Sequence, residues 1–234
     1  MIANNMRIGG IQKSTLIDYP GNIAAIIFTQ GCNFRCPYCH NPELVKPKLF
    51  EANIPEEKIF RFLELRKGKL DAVSITGGEP TLQLDLYDFI KKVKEMGFKV
   101  KLDTNGTNFE ILKKLIDEKL IDYAAMDIKA PLEKYEEVVK MKVDLENIKK
   151  SIKLIINSNI ESEFRTTIVK SLLSFEDFEK IGEMIKDAPY YVVQKFVESK
   201  AIDEDVFNFE MYDDEGYEKI SKIMSKYVEK VEIR

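Results

Sequence analysis

The sequence predicts an α/β fold: an incomplete, open, TIM-like (β/α)6 barrel with parallel strands and a short N-terminal hairpin-like extension. Three observations predict it. From residue 23 onward, short β-branched apolar runs alternate with amphipathic stretches, the pattern of strand–helix units around a parallel sheet. A complete eight-unit barrel takes roughly 250 residues, so the chain beyond its first 22 residues accommodates about six or seven units. Finally, the segments rich in Gly, Cys and charged residues follow the ends of the apolar runs, where barrels of this kind collect their chemistry.

The strands are expected at Ile23–Thr29, Ala72–Ile75, Lys99–Asp103, Tyr123–Asp127, Glu163–Val169 and Tyr190–Phe196. Between them, Pro55 opens a helix carrying Ile59, Phe62, Leu63 and Leu65, with proline in a first-turn position where a missing N–H costs nothing. Asp85–Met96 places Leu86, Phe89, Ile90 and Val93 on one face and stops at Gly97, a left-handed cap. Further helices are expected at Asn108–Glu118, Leu145–Asn157, Phe175–Lys186 and Asp214–Tyr227. Residues 1–22 stand outside the alternation, and Ile8–Gly21 reads as a short hairpin that would plug the bottom of the barrel or border its opening.

The chain has 234 residues, enough for one substantial core, and is expected to form a single domain: residues 1–22 an extension, 23–200 the partial barrel and 201–234 a helical C-terminal segment. It is 44% hydrophobic and 32% charged with a net charge of -4, which argues against a general nucleic-acid surface. No apolar run reaches 18 residues and the first 22 residues lack the order of a signal peptide, so neither a membrane span nor export is expected; the expected location is the cytoplasm.

All three cysteines, Cys32, Cys36 and Cys39, fall in one eight-residue window after the first apolar run. An odd, clustered count argues against a disulfide scaffold. Three thiolates at this spacing can hold three irons of a four-iron cluster and leave the fourth iron open to an external ligand. A structural zinc site, with the lone His40 as fourth ligand, is the alternative, although adjacent Cys39 and His40 would crowd one metal. Three further strand ends carry candidates: Gly77-Gly78-Glu79-Pro80, Asp103-Thr104-Asn105-Gly106 and Asp127-Ile128-Lys129. Two glycines allow close backbone approach, and a carboxylate beside them can accept from an ammonium group. Asp127 and Lys129 share a face by strand alternation. Each is also readable as an ordinary turn or a local ion pair. Arg165 and Gln194, inside strands, are the remaining candidates.

Together these segments resemble the radical S-adenosylmethionine superfamily, in its CxxxCxxC loop and in the GGEP-like loop after the second strand. More narrowly, Ser14-Thr-Leu-Ile-Asp-Tyr-Pro-Gly21 followed by Phe28-Thr-Gln-Gly-Cys-Asn-Phe-Arg-Cys-Pro-Tyr-Cys-His-Asn-Pro42 resembles the activating enzymes of glycyl-radical enzymes, nearest to the anaerobic ribonucleoside-triphosphate reductase activating type. The resemblance implies that Cys32, Cys36 and Cys39 bind one [4Fe-4S] cluster whose open iron takes S-adenosyl-L-methionine. It implies that Tyr38 packs near adenine, with Cys39 and His40 alongside. Gly77, Gly78 and Glu79 would meet the methionine end, Asp127, Ile128 and Lys129 would contact the cofactor, and Asp103 and Arg165 would wall the site. His40 is not expected to be a metal ligand. The implied reaction is reductive cleavage to a 5′-deoxyadenosyl radical that takes hydrogen from a glycine of a partner enzyme, with a low-potential donor such as ferredoxin or flavodoxin. No further cysteines remain for a second cluster. The region Gln194–Glu198 stands where formate-lyase activators carry a late histidine, which favours a reductase partner. The alternatives are a radical enzyme acting on a small molecule or peptide, and a zinc-stabilised binding module.

Overall fold

A computed structural model of the chain describes residues 6–197 and 201–234. Its sheet has the strand order β1-β2-β3-β4-β5-β6-β7-β8, with β1 (Ile8–Thr15) and β8 (Val231–Ile233) as the two end members. Between them lie β2 (Ala24–Thr29), β3 (Ala72–Gly77), β4 (Lys99–Thr104), β5 (Tyr123–Asp127), β6 (Glu161–Ile168) and β7 (Tyr191–Lys195). β1 pairs antiparallel with β2, whereas β2–β3–β4 and β6–β7–β8 pair in parallel. The helices are α1 (Pro42–Val45), α2 (Glu56–Glu64), α3 (Leu86–Glu95), α4 (Phe109–Asp117), α5 (Tyr135–Val139), α6 (Leu145–Ile156), α7 (Phe175–Met184) and α8 (Asp214–Met224).

The mostly parallel α/β class is therefore as expected, and the six expected strands are β2 to β7. Two details differ. The N-terminal extension is an antiparallel strand of the same sheet, with Ile11 opposite Ile27. A short eighth strand, β8, follows α8 and pairs with β7, Val192 opposite Glu232. Leu65 also leaves the expected apolar face: α2 ends at Glu64, and Leu65 is 71% exposed while Ile59 and Leu63 are buried.

The chain folds as two compact units. The first comprises the described residues to Asn33, Glu43–Thr104 and Glu110–Ala124. Its core joins Ala25 and Ile27 of β2, Val73 and Ile75 of β3 and Val100 and Leu102 of β4 to Leu63, Phe89, Ile90 and Val93 of the helices, all fully or almost fully buried. Each such side chain contributes about 1.5–3 kcal/mol. Gly97 ends the α3 segment at φ +93°, the left-handed conformation its position predicted.

The second unit comprises Phe34–Pro42, Asn105–Phe109 and the described residues from Ala125 onward. Alternation along β6 sends Phe164, Thr166 and Ile168 into its core and leaves Glu163, Arg165 and Thr167 on the opposite face. Ile152, Ile155, Phe178, Ile181, Ile220 and Met224 complete the helical side of this core. α7 begins with a reciprocal cap, in which Ser174 N–H donates to the Asp177 carboxylate at 2.8 Å.

Candidate active site

In the first unit the cysteine loop leaves β2 through Gly31, whose φ of +102° is one that side chains other than glycine rarely adopt. Its N–H donates to Leu44 O at 2.7 Å and its carbonyl accepts from Glu79 N at 2.8 Å. Gly78 N donates to Thr29 O at 2.8 Å and Gln83 Nε2 to Gln30 O at 2.9 Å, so the segment after β3 is tied to the end of β2 and the loop that follows it. A Cβ on Gly77 would lie 2.5 Å from Thr29 N and O, and one on Gly78 would lie 2.1 Å from Gly31 O. The two glycines are thus demanded by strand-end packing, a structural reason in addition to any approach by a ligand.

Glu79 is 1% exposed. Its Oε1 accepts from Thr81 N at 3.1 Å, from the Thr81 hydroxyl, and from Thr104 Oγ1 at 2.8 Å. A buried carboxylate with this many donors on one oxygen is held in one orientation. Asp103 is buried at the end of β4, and Lys101, two residues earlier on the same face, donates to its Oδ1 at 2.7 Å. The ammonium is 1% exposed and lies 3.5 Å from Asp18 of the N-terminal segment. Beside it Tyr19 is buried against Tyr123, ring centroids 5.4 Å apart. Lys101→Met leaves two carboxylates facing one another without their cation, and is expected to cost about 3–5 kcal/mol of unfolding free energy. Urea denaturation of the wild type and the variant measures it.

In the second unit Cys36 is buried, and burial pushes its thiol up to about 11 against the lowering pull of Lys129. Cys39 N donates to Cys36 O at 3.1 Å, a tight turn within the loop. Tyr38 is 4% exposed, and its hydroxyl finds no hydrogen-bond partner among the described residues. Burial and the neighbouring Cys36 raise its pKa. Arg35 N donates to Val139 O at 2.9 Å, and Phe34 meets Tyr135 edge-on at 6.1 Å, so α5 backs this part of the loop. His40 turns away from its neighbouring thiol. It stacks on Phe196, centroids 5.0 Å apart and 12° between planes, with Nε2 2.9 Å from Val197 O.

Asp127 accepts from Arg165 Nε at 3.0 Å on Oδ1, and its Oδ2 lies 3.3 Å from Lys129 Nζ. Burial alone would lower the Lys129 pKa, but the charges of Asp127 and the Cys36 sulfur raise it, so the ammonium is retained. Ile128 is buried; its N–H donates to Arg165 O at 2.8 Å and its carbonyl accepts from Thr166 Oγ1. Gly106, at φ +77°, offers its carbonyl to Ser151 Oγ at 2.8 Å. Gln194 lies in β7, half-buried, and Glu198 falls outside the described residues.

Among the described residues no set of three or more His, Cys, Asp or Glu side chains is gathered as the ligands of a single metal ion. The three cysteines form no disulfide and are supplied by one loop. Among the described residues the buried Tyr38 hydroxyl has no nitrogen or oxygen partner and lies against the Cys36 sulfur. The donors therefore suit a cluster that uses three protein sulfurs.

Fold and site together define an iron–sulfur enzyme on a mostly parallel α/β sheet. The chain belongs to the Radical SAM superfamily, whose family profile matches residues 26–188. It is 40% identical over 232 residues to a Methanocaldococcus jannaschii protein provisionally assigned as a glycyl-radical enzyme activating enzyme, covering 97% of this chain and 95% of that one. It is 29% identical over 243 residues to the pyruvate formate-lyase-activating enzyme of Clostridium pasteurianum, covering 95% and 98%. Among solved structures, QueE from Escherichia coli matches with a TM-score of 0.57 at 15% identity, over 98% of this chain and 93% of that chain. Streptococcus suis SuiB bound to S-adenosylmethionine matches with 0.66 at 16%, over 87% of this chain and 48% of that chain. The chain thus spans about half of SuiB, and both likenesses bear on fold alone. As a radical SAM oxidoreductase the protein uses a [4Fe-4S] cluster and S-adenosyl-L-methionine. Among the described residues no helix is long and apolar enough to cross a membrane.

The sequence left several supporting residues unassigned. Lys101 alternates with Asp103, and Glu163 with Arg165, so period two was available as a signal for both. Thr104 sits inside a segment readable as a turn. The role of Tyr135, whose hydroxyl lies 3.4 Å from Lys129 N, had no local signature.

Proposed function

We propose that this chain is a glycyl-radical enzyme activase, acting in the cytoplasm on a protein partner of the anaerobic ribonucleoside-triphosphate reductase type. The carrying observation is the 40% identity to an activating enzyme across almost the full length of both chains. The missing late histidine at Gln194–Glu198 favours a reductase over a formate lyase. In this reading Cys32, Cys36 and Cys39 ligate the cluster within a single domain, and a ferredoxin or flavodoxin supplies the electron. When bound and reduced, the cluster and its sulfonium cofactor supply the radical that removes hydrogen from a glycine.

The chain's own contribution is orientation and charge. Glu79, fixed through Oε1 by Thr81 and Thr104, would accept from the ammonium of the cofactor, and Gly77 and Gly78 would meet its methionine end. Lys129 offsets the cofactor carboxylate and Asp127 holds Lys129. Ile128 contributes backbone between them. Tyr38 packs on the adenine side, with Cys39 and His40 continuing that wall. Asp103 and Arg165 close the remaining sides. Burial of Cys36 and Tyr38 excludes water where a reactive species must not escape.

The test is electron paramagnetic resonance of the reduced enzyme mixed with a glycyl-radical partner. A glycine-centred doublet on the partner is expected. If every such partner stays diamagnetic while a metabolite or small peptide is transformed, the activase assignment fails in favour of a small-substrate radical enzyme. Stoichiometric zinc without cluster absorbance would instead leave a binding module.

A further inference from the structure

One buried carboxylate of the second unit has no part in the function proposed above. Glu163 lies two residues before Arg165 on β6, so both side chains leave the strand on the same face. It is 1% exposed, a burial that carboxylates rarely reach unless paired. Both oxygens are engaged by guanidinium groups. Oε1 is 3.6 Å from Arg165 Nη1, and Oε2 accepts from Arg234 Nη1 at 3.4 Å. Arg234, which directly follows β8, is itself fixed: Nη2 donates to the Tyr190 hydroxyl at 2.9 Å and Nε donates to Glu232 Oε1 at 2.8 Å. Arg165 directs Nε to Asp127, whose second oxygen meets Lys129. The outcome is a row of alternating charge: Lys129, Asp127, Arg165, Glu163, Arg234.

We propose that Glu163 is a positioning residue for cofactor binding, acting through Arg165, and that β8 serves this role by delivering Arg234 to the far oxygen. Arg165 has a flexible stem, and the Glu163 carboxylate holds one arm of its fork while Nε donates to Asp127. Without the carboxylate, Arg165 and Arg234 face each other as like charges and Arg165 withdraws from Asp127. Lys129 then gains a tighter partner in Asp127 and is less available to a ligand carboxylate. This rests on Asp127 and Lys129 being contacts of S-adenosylmethionine, and it is independent of the partner enzyme.

The experiment is therefore run without a partner, on cluster-containing, unreduced protein, by equilibrium dialysis against S-adenosylmethionine. Glu163→Gln is expected to raise Kd on the order of tenfold, and Glu163→Asp to recover part of the loss. In an Arg165→Met background the same substitution should change Kd by less than about twofold, because its route of action is gone. Arg234→Gln should weaken binding in the same direction, which keeps the claim testable if Glu163→Gln folds poorly; thermal melting of each variant reports that. An unchanged Kd in a Glu163→Gln protein that melts as the wild type does, or an equal rise with and without Arg165, overturns the proposal. The glycine-centred signal is measured separately, so this role and the activase reading can fail independently.

Discussion

Cys36→Ala protein, reconstituted with iron and sulfide in the absence of oxygen, is expected to hold no stable four-iron cluster and to cleave no S-adenosylmethionine. Iron content and visible absorbance measure the first, and release of methionine the second. The effect is total because one loop provides every thiol the chain has, and no further cysteine can substitute. Cys36 is also the thiol most deeply placed. Its pKa, pushed up to about 11 by burial, means that metal-free protein carries the protonated thiol through neutral pH. Iron binding must release that proton, so loading should become more complete as the pH rises toward that value. His40→Ala makes the matching control, with retained cluster absorbance expected, since that imidazole is engaged with Phe196 and Val197. Retained absorbance in the first variant, or its loss in the second, would refute the ligand assignment.

Gly78→Ala is expected to damage the fold severely by adding a single methyl group near the site. The new carbon would stand 2.1 Å from Gly31 O and 2.7 Å from Gly31 C, and neither backbone atom can rotate out of the way. Relief requires breaking the Glu79 N to Gly31 O hydrogen bond. A loss of at least about 3 kcal/mol in stability follows, at the upper end of overpacking costs. S-adenosylmethionine binding should weaken with it, because Glu79 moves with its own amide. Gly68→Ala supplies the contrast: φ is +72° but nothing lies within 4 Å, so only backbone strain of about 1–2 kcal/mol is expected. Urea denaturation curves of the two variants that coincide would show that the strand-end contact is not the reason for glycine at 78.

The expected strands survive because β2 to β7 are apolar runs of β-branched residues bounded by turns, a signal that needs no tertiary information. β8 escaped notice since three residues, Val231, Glu232 and Ile233, are too few for alternation to stand out, and pairing with β7 is what makes them a strand. β1 was hidden for another reason. Ile8–Gly21 reads as a hairpin closed on itself, whereas β1 pairs with β2; an added Cβ on Gly9 would strike the Gln30 side chain at 2.6 Å, so the residue is small to admit a neighbour. Leu65 shows the limit of helical periodicity, which continues past the point where a chain actually stops winding. At the site, the thiols and the Gly-Gly-Glu segment are legible because their chemistry is concentrated in a few consecutive residues. Thr104 and Arg234 are not, because each matters through a partner distant in sequence, whereas Lys101 and Glu163 left only the period-two alternation with Asp103 and Arg165 as a signal. Asp103 and Arg165 were found without the cations and carboxylates that hold them.

Gly31 is a mechanical junction. Its amide hydrogen is anchored to the segment that follows the cysteine loop and its oxygen to the segment that carries Glu79, so a single residue joins two loops through the peptide planes on either side of its α-carbon. A turn about its φ or ψ moves one anchor relative to the other. A disturbance of the cysteine loop would therefore reach the backbone that carries Glu79 through one residue.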